Sequence, residues 1–292
     1  METFLDCLPC MLQQILEASR MSTDDIKLQK RIMYEAISAL SQYDSFKNSP
    51  EIVREIHSIV KTLTGNSDSY HQIKQKDLQV ALSLYPKLKQ LVESREDRLF
   101  WALKAAAIGN VLDSAIYLGY DIEANMDEEL EKPFAFCDAY VLNQQLKEAK
   151  SILVIGDNAG ETVFDCLLLE QLASLDLVYA VRSAPIINDA TVEDAQASGI
   201  GRYAHIISTG CDLPGVLLDE CSEAFLDIFY GADIVLSKGR GNYETLSDCD
   251  RDMYFLLKAK CPVLAGLLDV GLNEYVFKYK SIKNANNNDL LT

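Results

Sequence analysis

The chain has 292 residues, of which 49% are hydrophobic, enough to bury one large core or two modest ones. Its 44 acidic residues outnumber its 27 basic residues and give a formal charge of −17, and no basic stripe interleaved with aromatic residues occurs. This composition argues against nucleic acid as a partner.

The N-terminal residues 1–6 include acids where a signal peptide carries bases, and no run approaches the roughly 18 apolar residues that a membrane span needs. We therefore expect a cytoplasmic protein without membrane contact. The eight cysteines are expected to be reduced thiols. Cys7 and Cys10 have the spacing of a metal knuckle or a redox pair, but the other cysteines form no second pair that would complete a zinc site.

Apolar residues at helical spacing dominate the first half of the chain. They predict helices over residues 26–40, 52–63, 70–84, 95–107 and 138–149. Pro50 is placed to open the second of these helices and Gly65 to close it. Since no convincing strand pattern precedes Ser151, we predict an all-helical N-terminal domain over residues 1–148.

A Gly-Asn pair, Gly109-Asn110, interrupts the helical pattern of this half. Asp113 follows Asn110 by three residues, so both polar side chains can share one helix face. Two interpretations are open. Asn110 can simply cap a new helix where Gly109 ends the previous one, or Asn110 and Asp113 can contribute to a functional site.

The second half of the chain begins with a buried strand followed by polar residues. Residues 152–155 are all apolar, which is typical of a parallel strand buried on both faces, and a helix with one apolar stripe begins near Ala159 or Gly160. Asp157 and Asn158 therefore lie in the turn at the carboxyl end of a strand, where open α/β sheets bind ligands. Their oxygens suit Mg²⁺ or Mn²⁺. The alternative is that Asp157 only caps the helix.

The same arrangement recurs further along the chain. The next predicted strand, residues 176–182, precedes Asn188-Asp189, and later strands are predicted at 204–208, 233–237 and 262–267. The run from Lys238 to Asn242 follows the fourth strand of this series and suits a phosphate. Strands alternating with helices predict a mostly parallel, Rossmann-like α/β sheet over residues 149–284, with a flexible tail at 285–292. All of these turns would then meet at one edge of the sheet.

Several short motifs occur together in one order along the chain: Cys7-Leu8-Pro9-Cys10, Gly109-Asn110-Val111-Leu112-Asp113, Gly156-Asp157-Asn158-Ala159-Gly160-Glu161, Asn188-Asp189, Lys238-Gly239-Arg240-Gly241-Asn242 and Lys260-Cys261-Pro262. In this order the chain resembles the metal-dependent damage-control phosphatases, once a domain of unknown function and also called the acidic-residue methyltransferase-like family. The N-terminal Cys-x-x-Cys resembles their mostly prokaryotic branch.

The resemblance implies a helical region packed on a Rossmann-like domain, with one divalent metal ion (Mn, Mg, Co or Ni) between them. It implies hydrolysis of small phosphorylated metabolites, sugar phosphates included. Carried over to this sequence, it assigns metal binding to Asp157, Asn158 and Asp189, catalysis to Asp157, Asn158, Glu161 and Lys238, and substrate binding to Asn110, Asp113, Arg182, Lys238, Gly239, Gly241 and Asn242.

Two questions of mechanism and function stay open at this point. The nucleophile can be water activated by the metal or the Asp157 carboxylate, and the absence of an Asp-x-Asp pair at this turn favours water. One rival function is an S-adenosylmethionine-dependent carboxyl methyltransferase, which would need a glycine-rich loop after the first strand. The other is a protein that binds a phosphorylated metabolite without hydrolysing it.

Overall fold

The computed structural model describes residues 3–111 and 122–282. Their helices are α1 (Cys7–Ser22), α2 (Ile26–Leu40), α3 (Ser49–Thr64), α4 (His71–Ser94), α5 (Arg98–Gly109), α6 (Ile122–Glu131), α7 (Ala139–Gln145), α8 (Thr162–Gln171), α9 (Val192–Ser198), α10 (Glu223–Gly231), α11 (Gly239–Leu246) and α12 (Pro262–Leu268). Their strands are β1 (Phe134–Cys137), β2 (Ser151–Ile155), β3 (Asp176–Val181), β4 (His205–Ser208), β5 (Ile234–Lys238), β6 (Met253–Lys258) and β7 (Tyr275–Lys280).

The strands form one sheet in the order β1-β7-β6-β5-β2-β3-β4. Neighbouring strands are parallel except β6 and β7, which are antiparallel. The predicted fold class, helices with a mostly parallel α/β sheet, is thereby confirmed. Because β2 lies between β5 and β3, the turns that leave these three strands are neighbours at one edge of the sheet.

Successive residues of each strand face opposite sides of the sheet, and both sides are covered by helices. On β2, Ile152 and Val154 pack in a core with α4, α5 and α8, whereas Leu153 and Ile155 pack in a second core with α10, α11 and α12. This two-sided burial explains why the strand is a continuous apolar run rather than an alternating pattern.

A third core joins α1, α2 and α3, through residues such as Met11, Ile32 and Ile56. Asn48 caps α3 by accepting a hydrogen bond from the Glu51 amide, and the helix ends at Gly65 in the left-handed conformation (φ 71°). The predicted opening and closing of this helix are correct. Within the described ranges, no helix is long and apolar enough to cross a membrane.

Two expectations about strands are wrong. Residues 262–267 lie in helix α12, because Pro262 occupies a first-turn position and the Cys261 sulfur accepts a hydrogen bond from the Leu264 amide. A short apolar run is compatible with either structure, and here the capping residues decide.

The sheet also contains β1, which precedes Ser151 and pairs with β7 at the sheet edge. Its four residues are too few to produce a recognisable alternation. The division at residue 148 stays a prediction.

His57 of α3 is buried, and we expect it to make the folded protein less stable in acid. Its Nε2 has no hydrogen-bond partner among the described residues, its ring lies 5.9 Å from the Tyr70 ring, and burial, with Lys61 adding repulsion, lowers its pKa to about 3. Between about pH 6.5 and about pH 3, the His57 imidazole is therefore protonated in the unfolded chain but neutral in the folded chain. For this group we expect the free energy of unfolding to fall by about 1.4 kcal/mol per pH unit from about pH 6.5 down to about pH 3.

Urea unfolding at about pH 7 and pH 5 measures this effect. His57→Phe should reduce the loss of stability between the two pH values by about 2 kcal/mol, whereas His205→Gln, at an exposed position, should leave it unchanged. Equal losses in wild type and His57→Phe would contradict the assignment.

Candidate active site

The two acid-amide turns meet at the carboxyl edge of the sheet. Asp157 and Asn158 follow β2, and Asp189 follows β3 in a loop that bridges back to Asn158. The amide of Ala190 donates a hydrogen bond to the Asp157 carbonyl (2.8 Å), which holds the two turns together. The structure therefore brings the three predicted metal ligands to one place.

These three residues line a cavity whose other walls come from distant parts of the chain. Helices α1 and α3 contribute one side, and the residues after β5 and β6 contribute the other. The cavity is open to solvent, so a small molecule can reach the acids on its floor.

Carboxylates are crowded on the floor of this cavity. Burial raises the pKa of Asp157 well above its usual range, and the neighbouring Glu161 and Asp189 raise it further, against the opposing effect of Arg182. Burial likewise raises the pKa of Glu161, to about 7. These acids repel each other when they are charged, and Glu161, unlike Asp157 and Asp189, does not line the cavity.

Asn110 lies against these acids. It follows the end of α5, and its Nδ2 donates hydrogen bonds to Asp157 Oδ2 (3.1 Å) and Glu161 Oε2 (3.2 Å). A Cβ atom at Gly109 would lie 2.7 Å from the Glu161 Cβ, so only glycine permits the close contact between α5 and α8. The Gly-Asn break therefore ends a helix and also places Asn110 in the site. Asp113, also predicted to bind substrate, lies outside the described residues.

Arg182 connects two of the acids from behind the cavity. Its Nε donates a hydrogen bond to Asp189 Oδ2 (2.7 Å), and its Nη2 lies 3.8 Å from Asp157 Oδ1. The side chain is 1% exposed and does not line the cavity, and neither Nη atom has a hydrogen-bond partner among the described residues. Arg182 thus positions the carboxylates in this structure rather than facing the open space.

Lys238 is also buried behind the cavity. Its ammonium group donates hydrogen bonds to Asp165 Oδ1 and to the Ala106 carbonyl (3.1 Å), and it lies 3.5 Å from Glu161 Oε2. Burial disfavours its charge, but Asp165 and Glu161 more than compensate and raise its pKa. Lys238 does not line the cavity, so its predicted contact with a phosphate is not made in this arrangement.

The loop after Lys238 approaches the acids through its backbone. Gly239 has φ 79°, and a side chain at this position would overlap the Asp157 carboxylate, which explains the glycine. Asn242 is buried and donates hydrogen bonds to the carbonyls of Gly156 (3.0 Å) and Lys238 (2.7 Å), so it joins the ends of β2 and β5. Of the residues predicted for the phosphate cradle, Gly241 lines the cavity, whereas Gly239 and Asn242 support it.

Arg240 and Lys260 also line the cavity. Neither of these cationic side chains was assigned a role from the sequence. Arg240 forms an ion pair with Glu244, one turn further along α11. Both cations lie within motifs that carried the family resemblance, but only the folded chain shows that they face the same space as Asp157. Their positions after β5 and β6 were the available signal.

The Cys-x-x-Cys motif forms the first turn of α1, and both thiols line the cavity. Cys7 Sγ lies 3.8 Å from Arg240 Nη2. No disulfide links the cysteines of the described residues, and no group of three or more His, Cys, Asp or Glu side chains there is arranged to hold a metal ion. A closed zinc site at this motif is therefore not formed by the described part of the chain.

We predict that the double variant Cys7→Ser, Cys10→Ser keeps most of its kcat, because the acids and amides of the floor carry the polar chemistry. The variant should lose some stability, because Cys7 is buried. The measurement is phosphate release by a variant shown to be folded by circular dichroism. Loss of activity in such a protein, with normal metal content, would bring the thiols into the mechanism.

Comparison with known proteins finds similar chains. Residues 3–276 match the family described as damage-control phosphatase ARMT1-like domain. The chain is 34% identical over 282 residues to the uncharacterized protein MJ0202 of Methanocaldococcus jannaschii, covering 92% of this chain and 93% of that protein. It is 33% identical over 276 residues to the damage-control phosphatase PH1575 of Pyrococcus horikoshii, covering 92% of this chain and 95% of that protein.

A third relative, a damage-control phosphatase of Archaeoglobus fulgidus, is 29% identical over 281 residues, which cover 93% of this chain and 97% of the relative. The crystal structure of PH1575, described as a DUF89 family protein, superposes with a TM-score of 0.85 at 32% identity, over 96% of this chain and 100% of that one. The family match, the relatives and the shared fold support a phosphatase in metabolite repair. The chain belongs to the damage-control phosphatase ARMT1-like domain family.

Proposed function

We propose that this protein is a divalent-metal-dependent phosphomonoester hydrolase acting on small phosphorylated metabolites. The observation that carries the proposal is the meeting of Asp157, Asn158 and Asp189 on the floor of one cavity, where burial and mutual repulsion raise the pKa of Asp157. A bound cation would offset the repulsion between these acids and allow them to ionise.

The residues present fit a divalent ion. Asp157, Asn158 and Asp189 offer hard oxygen ligands, which suit Mg²⁺ and Mn²⁺, and Co²⁺ and Ni²⁺ are the further metals to test. When bound, the ion would polarise a phosphoryl group and neutralise charge that develops on it. Arg182 and Asn110 would keep the acids in place, since both already contact Asp157. Neither of them is itself a proposed metal ligand.

Substrate binding is assigned to the walls of the cavity. Arg240 and Lys260 line it and present positive charge to a phosphate, the role that the family resemblance assigns to Lys238. In this proposal Lys238 lies behind the cavity lining, where its ammonium group holds Asp165 and Glu161 in place. Gln14 of α1 and Ser49 of α3 offer hydrogen bonds to the rest of the metabolite, to which the phosphate is attached.

Water is the nucleophile that this site favours. A second aspartate two residues after a nucleophilic one is absent here, because Asn158 and Ala159 follow Asp157. Asp157 also accepts a hydrogen bond from Asn110, which further occupies its oxygens. We therefore assign Asp157 to metal binding rather than to covalent catalysis.

A screen of phosphate esters, including sugar phosphates, against Mg²⁺, Mn²⁺, Co²⁺ and Ni²⁺ tests the proposal. We expect release of inorganic phosphate from at least one ester with at least one metal. Binding of an ester without turnover would instead indicate a non-catalytic binding protein. Binding of radiolabelled S-adenosylmethionine, with no phosphate release, would favour the methyltransferase alternative.

A further inference from the structure

Ile187 has an unusual backbone conformation at the edge of the cavity. Its φ is +45°, in the left-handed region, and it lines the cavity. The other described non-glycine residues with positive φ are Asp269 and Asn273, residue types that adopt this conformation readily. An isoleucine does not, because its branched Cβ approaches the backbone, so other contacts must hold it there.

Contacts from the N-terminal helices add to a local turn, in which the Asp189 amide donates a hydrogen bond to the Ile186 carbonyl (3.1 Å). Ile187 packs against the core of α1, α2 and α3, whose members Met11 and Val53 line the same cavity. In addition, Lys61 of α3 donates a hydrogen bond from Nζ to the Pro185 carbonyl (2.6 Å), two residues before Ile187. The helical region therefore holds this loop at two points, by apolar packing and by a charged hydrogen bond.

The same loop is tied to the sheet on either side of Asp189. The amide of Ala159 donates a hydrogen bond to the Asn188 carbonyl (2.8 Å), and the amide of Ala190 donates one to the Asp157 carbonyl (2.8 Å). Ile187 is the residue at which the chain passes from the helix-held part of the loop to the sheet-held part. Its φ angle therefore sets the direction in which Asn188 and Asp189 leave the helices.

We propose that Ile187 is a positioning residue. Held in its strained conformation by the core of α1, α2 and α3, it places the Asp189 carboxylate opposite Asp157. The N-terminal helices thus help to assemble the floor of the cavity, although they contribute no carboxylate to it. The link from this placement to metal binding rests on the proposed function, whereas the placement itself does not.

Hydrogen exchange of the metal-free protein tests the placement. In Ile187→Gly, which frees the backbone and removes the packing, the amides of Ala159 and Ala190 should exchange at least about tenfold faster than in wild type. Ile187→Leu keeps an apolar side chain of equal volume and should stay within about threefold of wild type. Asp269→Gly, at a left-handed position outside the cavity lining, should leave both amides unchanged.

Wild-type exchange of Ala159 and Ala190 in Ile187→Gly would overturn the proposal. So would an acceleration no larger than that of the amides in α2, because this would show a general loss of stability. Binding of Mn²⁺, measured by equilibrium dialysis, then tests the link to the metal. It should weaken at least about tenfold in Ile187→Gly and recover in Ile187→Leu. If wild type binds no Mn²⁺, the proposed metal site fails while the exchange rates still decide the role of Ile187.

Discussion

Replacement of Asp157 by alanine is expected to lower metal-stimulated phosphate release by at least about a thousandfold, or about 4 kcal/mol of transition-state stabilisation. The carboxylate lies on the cavity floor beside Asn158 and Asp189, so its loss removes a ligand at the centre of the group. The fold should survive. Removal of one of several crowded buried acids relieves repulsion, and this offsets the lost contacts with Asn110 and Arg182.

Three measurements separate these effects: phosphate release, Mn²⁺ affinity and urea unfolding of the metal-free protein. Asp176→Ala, at an exposed acid on β3, is the matched control and should match wild type in all three. If Asp157→Ala keeps the wild-type rate and metal affinity, Asp157 is not a metal ligand. If the variant is unfolded, the claim that Asp157 serves the site rather than the core is wrong.

Lys238→Met is expected to lower the free energy of unfolding by about 3–5 kcal/mol. The ammonium group pairs with Asp165 and lies 3.5 Å from Glu161, in a region where all three side chains are at most 1% exposed. Methionine keeps much of the aliphatic stem but leaves both acids without their cation. Activity should fall as well, because Glu161 accepts a hydrogen bond from Asn110, which also holds Asp157.

A double-mutant cycle with Asp165→Asn identifies the cause. Asparagine can still accept the hydrogen bond that Tyr179 donates to Asp165 (2.6 Å), so the double variant should recover part of the stability lost in Lys238→Met. A cost below about 1 kcal/mol for Lys238→Met, together with a large rise in KM, would contradict the buried role. It would restore Lys238 as a direct phosphate ligand.

Much of the sheet edge was predictable from the sequence because the information is local. The apolar run of β2 and the polar residues after it indicate a buried strand that ends at a binding site, and the same pattern after β3 predicts Asp189 beside Asn158. Parallel strands bring such turns together whatever the details of the helices between them. The proximity of Asp157, Asn158 and Asp189 follows from this rule.

The strand errors have a different origin. Strands β1 and β7 pair at one side of the sheet, and β7 runs antiparallel to β6. No local sequence pattern predicts this arrangement. Residues 253–258 are buried along their whole length, and the apolar run at 262–267 looks equally like a strand until Pro262 and the Cys261 cap are considered. The capping residues that decide the second case are local in sequence, whereas the places of β1 and β7 depend on strands that are distant in sequence.

The walls of the site depended most on tertiary structure. The burial of Lys238 results from the close approach of α5 and α8, which places Asp165 and the Ala106 carbonyl around its ammonium group. The exposure of Arg240 and Lys260 to the cavity, and the contribution of α1 and α3, depend on how the helices pack against the sheet edge. Sequence motifs indicated that these segments matter but not which side chains face the substrate.

The most direct test of the central claim is phosphate release by the metal-free protein before and after addition of one divalent metal ion per chain, with an ester found active in the screen. The account predicts no hydrolysis after treatment with a chelator, recovery of the rate when metal is restored, and no recovery in Asp157→Ala. Full hydrolysis by chelator-treated protein, with metal content shown to be negligible, would contradict a metal-dependent phosphatase at this site.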